Sequence, residues 1–273
     1  MDVTTWGLPD LYWWLTAVTA VITLLGFYRT VYFFNVAYPF AVVTMATIIL
    51  VAFAENLTTA LALQLVLLAA WGVRLGVFAL RRERRPSYAA RPAGKNRDGM
   101  GVVAKVGVWL AVSLLYPMLV APALFGPADG REPGIVGASD QWVGLAIMAT
   151  GLTIEAVADY QKAAEKERAP DRFVSSGLFG WVRCPNYLGE LVFWLGNVIV
   201  GAPFLVNAGR ATVAILGFAL LVLIMLGATK RLEAHHEATY GTNPDYRSWA
   251  RRVPILFPWA PIFTFERVRL PKV

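Results

Sequence analysis

Long apolar runs broken by short polar stretches dominate this chain, and runs of that length predict membrane-crossing helices. A bilayer's hydrocarbon core is about 30 Å thick and needs roughly 20 mostly apolar helical residues. Seven segments satisfy that requirement, near 9–28, 32–54, 57–80, 102–125, 140–160, 186–206 and 209–229. The third and seventh are the cleanest; Leu61 to Leu80 is interrupted only by Gln64 and Arg74. Tyr28-Arg29-Thr30 leaves a very tight turn between the first two. Gly126-Pro127, Pro133-Gly134 and Gly201-Ala202-Pro203 read as loops. The expected fold is an all-α integral membrane bundle of about seven transmembrane helices. Met1 to Thr5 lacks a basic n-region, so no signal peptide is expected.

Composition agrees. Apolar residues make up 57% of the 273, charged residues 16%, and mean hydropathy is +0.54. A soluble domain carries about 25% charged residues, so a water-soluble globule is excluded, as is a disordered chain. One cysteine, Cys184, rules out an intramolecular disulfide and any Cys-cluster metal site, and two histidines leave little for a His-based one. No metal is expected.

The net charge of +7 raises the question of nucleic acid, but the position of the charges answers it. Arg81, Arg82, Arg84, Arg85, Arg91, Lys95 and Arg97 follow the third run. Lys162, Lys166, Arg168 and Arg172 follow the fifth, and Lys230, Arg231, Arg247, Arg251 and Arg252 the seventh. The alternate connections hold Glu55-Asn56, Arg131 alone and Arg210 alone. By the positive-inside rule this places the N-terminus outside and the C-terminus in the cytoplasm, in a multi-pass protein of the cytoplasmic (inner) membrane. The expected partners are membrane lipids and a lipophilic small molecule, not nucleic acid; nothing in the chain fixes an oligomeric state. Residues 258–273, with Trp259, Phe263, Phe265, Arg267 and Arg269, read as an interfacial tail.

Ionisable groups within apolar segments are costly and mark function. Glu155 and Asp159, four apart, share a helical face at the end of the fifth run. Arg183-Cys184-Pro185-Asn186-Tyr187-Leu188-Gly189-Glu190 opens the sixth. Pro185 suits a helix's first turn, and the free N–H groups there, with Arg183, make a phosphate-binding end. Arg231 with His235, and His236 with Tyr240, form i, i+4 pairs after the seventh. No Rossmann fingerprint or P-loop is present; Ser175 to Gly180 is too short for either.

The stretch from Glu155 to Gly196, with Arg172, Gly177-Leu178-Phe179 and Arg183 to Glu190, resembles the C-terminal domain of the steroid 5α-reductase family. It is most similar to the bacterial branch first catalogued as a domain of unknown function. The family's commonest form has His where this chain has Cys184. Trp71-Gly72-Val73-Arg74-Leu75-Gly76 also resembles the family's third-helix pattern. The resemblance implies a seven-helix membrane reductase that uses NADPH to saturate a C=C bond conjugated to a carbonyl in a steroid-, sterol- or isoprenoid-like substrate. The cofactor residues it implies are Glu155, Asp159, Lys166, Arg172, Asn186, Glu190, His236 and Tyr240, with Arg231 and His235 as a one-residue alternative; Arg183 joins them from the reading of the helix end. Steroid-reducing members carry a Gln-Glu pair and a Tyr that hold the substrate carbonyl; here those places fall on Val36, Ala37 and Trp71. Asn35 and Tyr38 lie beside them and are the candidates to substitute, which gives Glu190, Tyr187, Asn35 and Tyr38 as the catalytic set.

Hydride addition to an enone's β-carbon builds negative charge on the carbonyl oxygen, so a buried Tyr hydroxyl or protonated carboxyl must face that oxygen. The expected organisation is one membrane domain: residues 1–100 are substrate-side helices and a basic loop, 101–257 hold the cofactor region, and 258–273 form the tail. Two other classes share parts of this pattern. An isoprenylcysteine-type methyltransferase has a similar Arg-x-Pro-x-Tyr helix start but uses S-adenosylmethionine. A non-enzymatic lipid-binding or transport bundle binds no nucleotide.

Overall fold

The computed structural model describes residues 6–83, 100–130 and 134–265. Nine α-helices run through them: α1 (Asp10–Thr23), α2 (Leu25–Tyr28), α3 (Tyr38–Ala52), α4 (Thr59–Glu83), α5 (Val102–Asp129), α6 (Ile135–Arg168), α7 (Pro185–Gly201), α8 (Ala208–Tyr240) and α9 (Pro244–Arg252). No strand occurs among the described residues. Seven helical segments among them are long and apolar enough to cross a membrane: Asp10–Tyr28, Phe33–Ala52, Thr59–Arg82, Val102–Asp129, Gly137–Arg168, Pro185–Phe204 and Ala208–Tyr240. This is the all-helical, multi-pass fold expected from the apolar runs. Arg84, Arg85, Arg91, Lys95, Arg97, Arg131, Pro133, Arg267 and Arg269 lie outside the described residues.

Three departures have physical causes. Gly126-Pro127 is not a loop: α5 continues through Pro117, Pro122 and Pro127 and ends at Asp129, with Gly130 in the left-handed region. Within hydrocarbon a proline costs one backbone bond, whereas a break would leave several groups unpaired. The turn Phe33–Ala37 is π-helical. Pro39, in the first turn of α3, lacks an N–H and its ring crowds the carbonyl of Asn35 four residues back, a mismatch that a wide turn absorbs. Finally, α6 and α8 outrun their apolar stretches. At 34 and 33 residues they measure about 50 Å, against a core of about 30 Å. Their polar ends, rich in Ala, Glu, Lys and Arg, keep high helix propensity after hydrophobicity stops. Pro170 follows the end of α6.

The chain forms two compact units, Met1–Leu145 with Asn197–Phe218, and Ala146–Gly196 with Ala219–Val273. In the first, α1 packs on α5 and α3 on α4. Buried polar side chains pair across these helices. Thr23 Oγ1 bonds Ser113 Oγ at 3.0 Å, Gln64 Nε2 donates to Asn197 Oδ1 at 2.9 Å, and Asn197 Nδ2 donates to the Leu119 carbonyl at 2.9 Å. Tyr38 stacks on Tyr116 with ring centroids 4.5 Å apart and meets Trp71 edge-on at 5.1 Å. The Tyr116 hydroxyl donates to the Phe33 carbonyl at 2.8 Å. Asn35, half-buried, and Tyr38, buried, thus belong to this unit.

The first unit is also clamped at one end. Arg210 donates from both terminal nitrogens to Asp129, at 2.7 and 2.8 Å, and from Nε to the Gly7 carbonyl at 3.1 Å. Both side chains are largely buried. Removing one member of such a pair strands a buried charge and costs about 3 kcal/mol or more. We expect Asp129→Ala to lower the thermal unfolding midpoint in detergent by that amount of stability. The apolar double substitution Asp129→Leu/Arg210→Met should recover most of it.

Candidate functional site

Within the second unit, the crossing of α6 and α7 is made by glycine. A Cβ on Gly151 would lie 2.3 Å from the Phe193 backbone nitrogen, and one on Gly189 2.6 Å from that of Glu155. The two backbones therefore touch, and Glu155 sits beside the residue that precedes Glu190. Glu155, Asp159 and Glu190 are 3%, 6% and 8% exposed, each engaged with neighbours. Carboxylates so buried demand compensation, which makes this crossing a chemically loaded point.

One turn further along α6 the sign of charge reverses. Glu155, Asp159, Lys162 and Lys166 follow one helical face at i, i+4, i+7 and i+11. Lys162 and Lys166 line a cavity with Arg183, Asn186, His236, Tyr240, Leu232 and the apolar side chains of Phe173, Val174 and Phe179. Its volume is about 20 Å³, room for one or two water molecules. Three cations face it, Asn186 lies in the first turn of α7, and α8 contributes the stripe Leu232, His236 and Tyr240 at four-residue spacing.

The wall is held by named contacts. Lys166 Nζ donates to the Pro170 carbonyl at 2.9 Å, the Arg172 carbonyl at 2.6 Å and the Tyr240 hydroxyl at 2.9 Å. Gly177, at φ +57°, turns the chain so that the Leu178 N–H reaches Gln161 Oε1 at 3.0 Å. Tyr246 and Trp249 of α9, with Val253 just past its end, form a buried cluster against Phe173 and Tyr240, and Trp249 Nε1 donates to the Phe179 carbonyl at 3.0 Å. Asn243 caps α9 through Oδ1, which accepts from Asp245 N at 2.8 Å. Burial raises the Tyr246 hydroxyl pKa, with Arg183 opposing.

Arg183 is 6% exposed. Its Nη2 donates to Glu233 Oε1 at 3.3 Å and to the Phe263 carbonyl, while its backbone N–H reaches the Pro254 carbonyl at 2.9 Å. Its buried Nε–H finds no acceptor of good geometry. Burial pushes the adjacent Cys184 thiol up to about 12, with Lys162 and Arg183 pulling it down and Glu233 raising it.

Of the residues expected from sequence, Lys166, Arg183, Asn186, His236 and Tyr240 line the cavity. Glu155, Asp159 and Glu190 are buried in the same unit without lining it, and Tyr187 is half-buried. Arg172, Arg231 and His235 are exposed; Arg172 contributes its carbonyl rather than its guanidinium. Asn35 and Tyr38 stand in the first unit. Sequence reasoning passed over Lys162, Phe173, Phe179 and Leu232 as lining residues. The four-residue spacings of Lys162 with Lys166 and of Leu232 with His236 were the available signal. Among the described residues no group of three His, Cys, Asp or Glu side chains is arranged to hold a metal.

Fold and site define an all-helical multi-pass membrane protein with a small, cation-lined cavity. The chain belongs to the family described as protein of unknown function (DUF1295), whose model matches residues 12–253. It is also similar to the Lamin-B receptor of Drosophila melanogaster, 36% identical over 80 residues that cover 29% of this chain and 9% of the receptor. The chain thus spans less than a tenth of that relative's length. No solved structure matches it significantly.

Two predictions follow from packing and burial. Gly151→Ala and Gly189→Ala force a Cβ into backbone and should destabilise by about 2 kcal/mol or more, whereas Gly76→Ala, whose nearest neighbour would be Pro39 at 3.8 Å, should leave the midpoint unchanged or raised. The folded protein should resist iodoacetamide at pH 8, Cys184 reacting about a hundredfold more slowly than after denaturation, because the thiolate is the nucleophile. Intact-mass spectrometry over time measures this directly.

Proposed function

We propose that this protein is a membrane-embedded reductase that uses NADPH to saturate a C=C bond conjugated to a carbonyl in a lipophilic substrate. The observation that carries the reading is the cavity lined by Lys162, Lys166 and Arg183 together with Asn186, His236 and Tyr240. Four of them, Lys162, Lys166, Arg183 and Asn186, lie on the stretch whose motif resembles steroid 5α-reductases, and His236 and Tyr240 are positions that the resemblance implies. Three cations and a helix N-terminus suit an anionic dinucleotide. They oppose a sulfonium cofactor such as S-adenosylmethionine, whose reactive centre is itself cationic.

The donor set fits the phosphates of a nucleotide; Lys162 and Arg183 would hold them, with Asn186 as an uncharged partner, while Lys166, whose three donors are on Pro170, Arg172 and Tyr240, adds positive charge to the wall. When bound, NADPH supplies a hydride to the β-carbon of the substrate's enone and leaves as NADP⁺. The chain's task is the rest: to place the acceptor, exclude water and deliver a proton to the α-carbon. Glu190 and Tyr187, on α7 beyond Asn186, are the groups we assign to proton delivery and to polarising the carbonyl oxygen. Glu190 is buried on the same helix as Asn186. Glu155 and Asp159 complete the cofactor end. No step is assigned to Asn35 and Tyr38. A cavity of about 20 Å³ cannot enclose a dinucleotide, so binding entails movement of its walls. The basic flanks support a cytoplasmic site in an inner-membrane protein with its N-terminus outside.

Adding NADPH at a hundred times its dissociation constant to detergent-solubilised protein should stabilise the fold by about 2.7 kcal/mol, seen as a raised thermal midpoint, while S-adenosylmethionine should leave it unmoved. Asn186→Ala should weaken NADPH binding by about tenfold or more through a lost buried hydrogen bond. Stabilisation by S-adenosylmethionine alone would overturn the reading, and stabilisation by neither would return the protein to a lipid-binding bundle.

A further inference from the structure

The family match ends at residue 253, and the segment beyond it makes contacts that the motif residues alone do not explain. From Pro254 the chain turns back on itself: the Ile255 N–H donates to the Ile262 carbonyl at 2.8 Å and the Ala260 N–H to the Phe257 carbonyl at 3.1 Å. This short loop then delivers three backbone groups to one place. The Pro254 carbonyl accepts from the Arg183 N–H, the Phe263 carbonyl accepts from Arg183 Nη2, and the Phe265 N–H donates to Glu233 Oε2 at 2.9 Å. Glu233 uses its other oxygen on Arg183. Ile255, Leu256 and Phe265 are buried beneath the loop.

None of these loop residues lines the cavity, and neither does Glu233. They hold the Arg183 guanidinium through Nη2. Arg183 itself lines the cavity with Lys162 and Lys166, and the Tyr246 hydroxyl stands within hydrogen-bond reach of its side chain. A guanidinium held through Nη2 while its side chain borders a cavity lined by two lysines is preorganised to meet an anion there. An arginine free to rotate would lose more side-chain freedom on binding.

We propose that residues 254–265 form a strap that, through Glu233, fixes Arg183 for anion binding. Glu233 is thus a positioning residue for the cofactor site. The inference rests on the nucleotide reading for its biological ligand, while its physical content concerns any phosphate-bearing anion.

The test uses the full chain in detergent, Glu233→Gln, Phe265→Pro, and a chain ended after Phe257, each titrated with inorganic pyrophosphate and with NADPH well below its thermal midpoint. The Glu233→Gln amide keeps only one of the two accepting oxygens and loses the charge, and Phe265→Pro removes the Phe265 N–H together with its buried ring. The strap predicts about tenfold weaker pyrophosphate and NADPH binding in every variant. If the protein turns over, KM for NADPH should rise with kcat unchanged, a split that a general loss of packing would not give. Glu233→Gln combined with the truncation should be no weaker than either alone, because both act through one arginine. Wild-type affinity in folded Glu233→Gln or Phe265→Pro protein, or losses that add in the double variant, would overturn the strap. Wild-type protein that binds pyrophosphate but not NADPH would sink the reductase reading and leave the strap standing; binding neither would sink both.

Discussion

Backbone contact between α6 and α7 is the constraint on which the rest of the second unit depends. Helix axes usually stand 8–10 Å apart because side chains intervene; at Gly151 and Gly189 none does. That approach carries Glu155 and Glu190 into one buried region and fixes where α7 can begin. It fixes in turn where Pro185, Asn186 and Arg183 stand relative to the cationic end of α6. Small residues at helix crossings are how membrane proteins gain contact without a hydrophobic driving force between helices. Here the contact also places acids that would be prohibitively costly facing lipid.

The polar extensions of α6 and α8 then do what the apolar stretches cannot. Over their bilayer-length portions these helices offer little but packing. Past Asp159 and Thr229 they carry lysine, arginine, histidine and tyrosine on a rigid backbone. A site on helix ends is held more firmly than one on loops, and these ends are braced from outside by α9 through Phe173, Tyr240, Tyr246 and Trp249. The buried acids lie one turn from Lys162, so opposite charge is stacked along a single helical face.

How much of this was legible in the sequence differs by scale. The seven spans were, because bilayer thickness sets a length that composition must meet. The limits of α6 and α8 were not, since hydropathy marks where lipid stops rather than where a helix stops. Gly126-Pro127 misled because proline is a reliable breaker in water but not where unpaired backbone is costlier still. At the site, four-residue spacing correctly grouped His236 with Tyr240, and the Arg183 to Glu190 string placed Asn186. What the string could not convey was Glu233: its role depends on Phe263 and Phe265, thirty or so residues away, meeting it through backbone atoms that no side-chain pattern records.

Arg183 illustrates why that long-range contact matters chemically. A buried guanidinium tolerates its surroundings only when its donors are filled. Glu233 neutralises it and the Phe263 carbonyl saturates one edge, yet Nε remains open. Complete pairing would have made Arg183 a purely structural ion pair, like Arg210 with Asp129 in the first unit, where Nε and both terminal nitrogens have partners. The two arginines are about equally buried, but Glu233 and the Phe263 carbonyl both take Nη2 of Arg183, and its side chain borders a cavity shared with two lysines, which is what separates a binding group from a clamp.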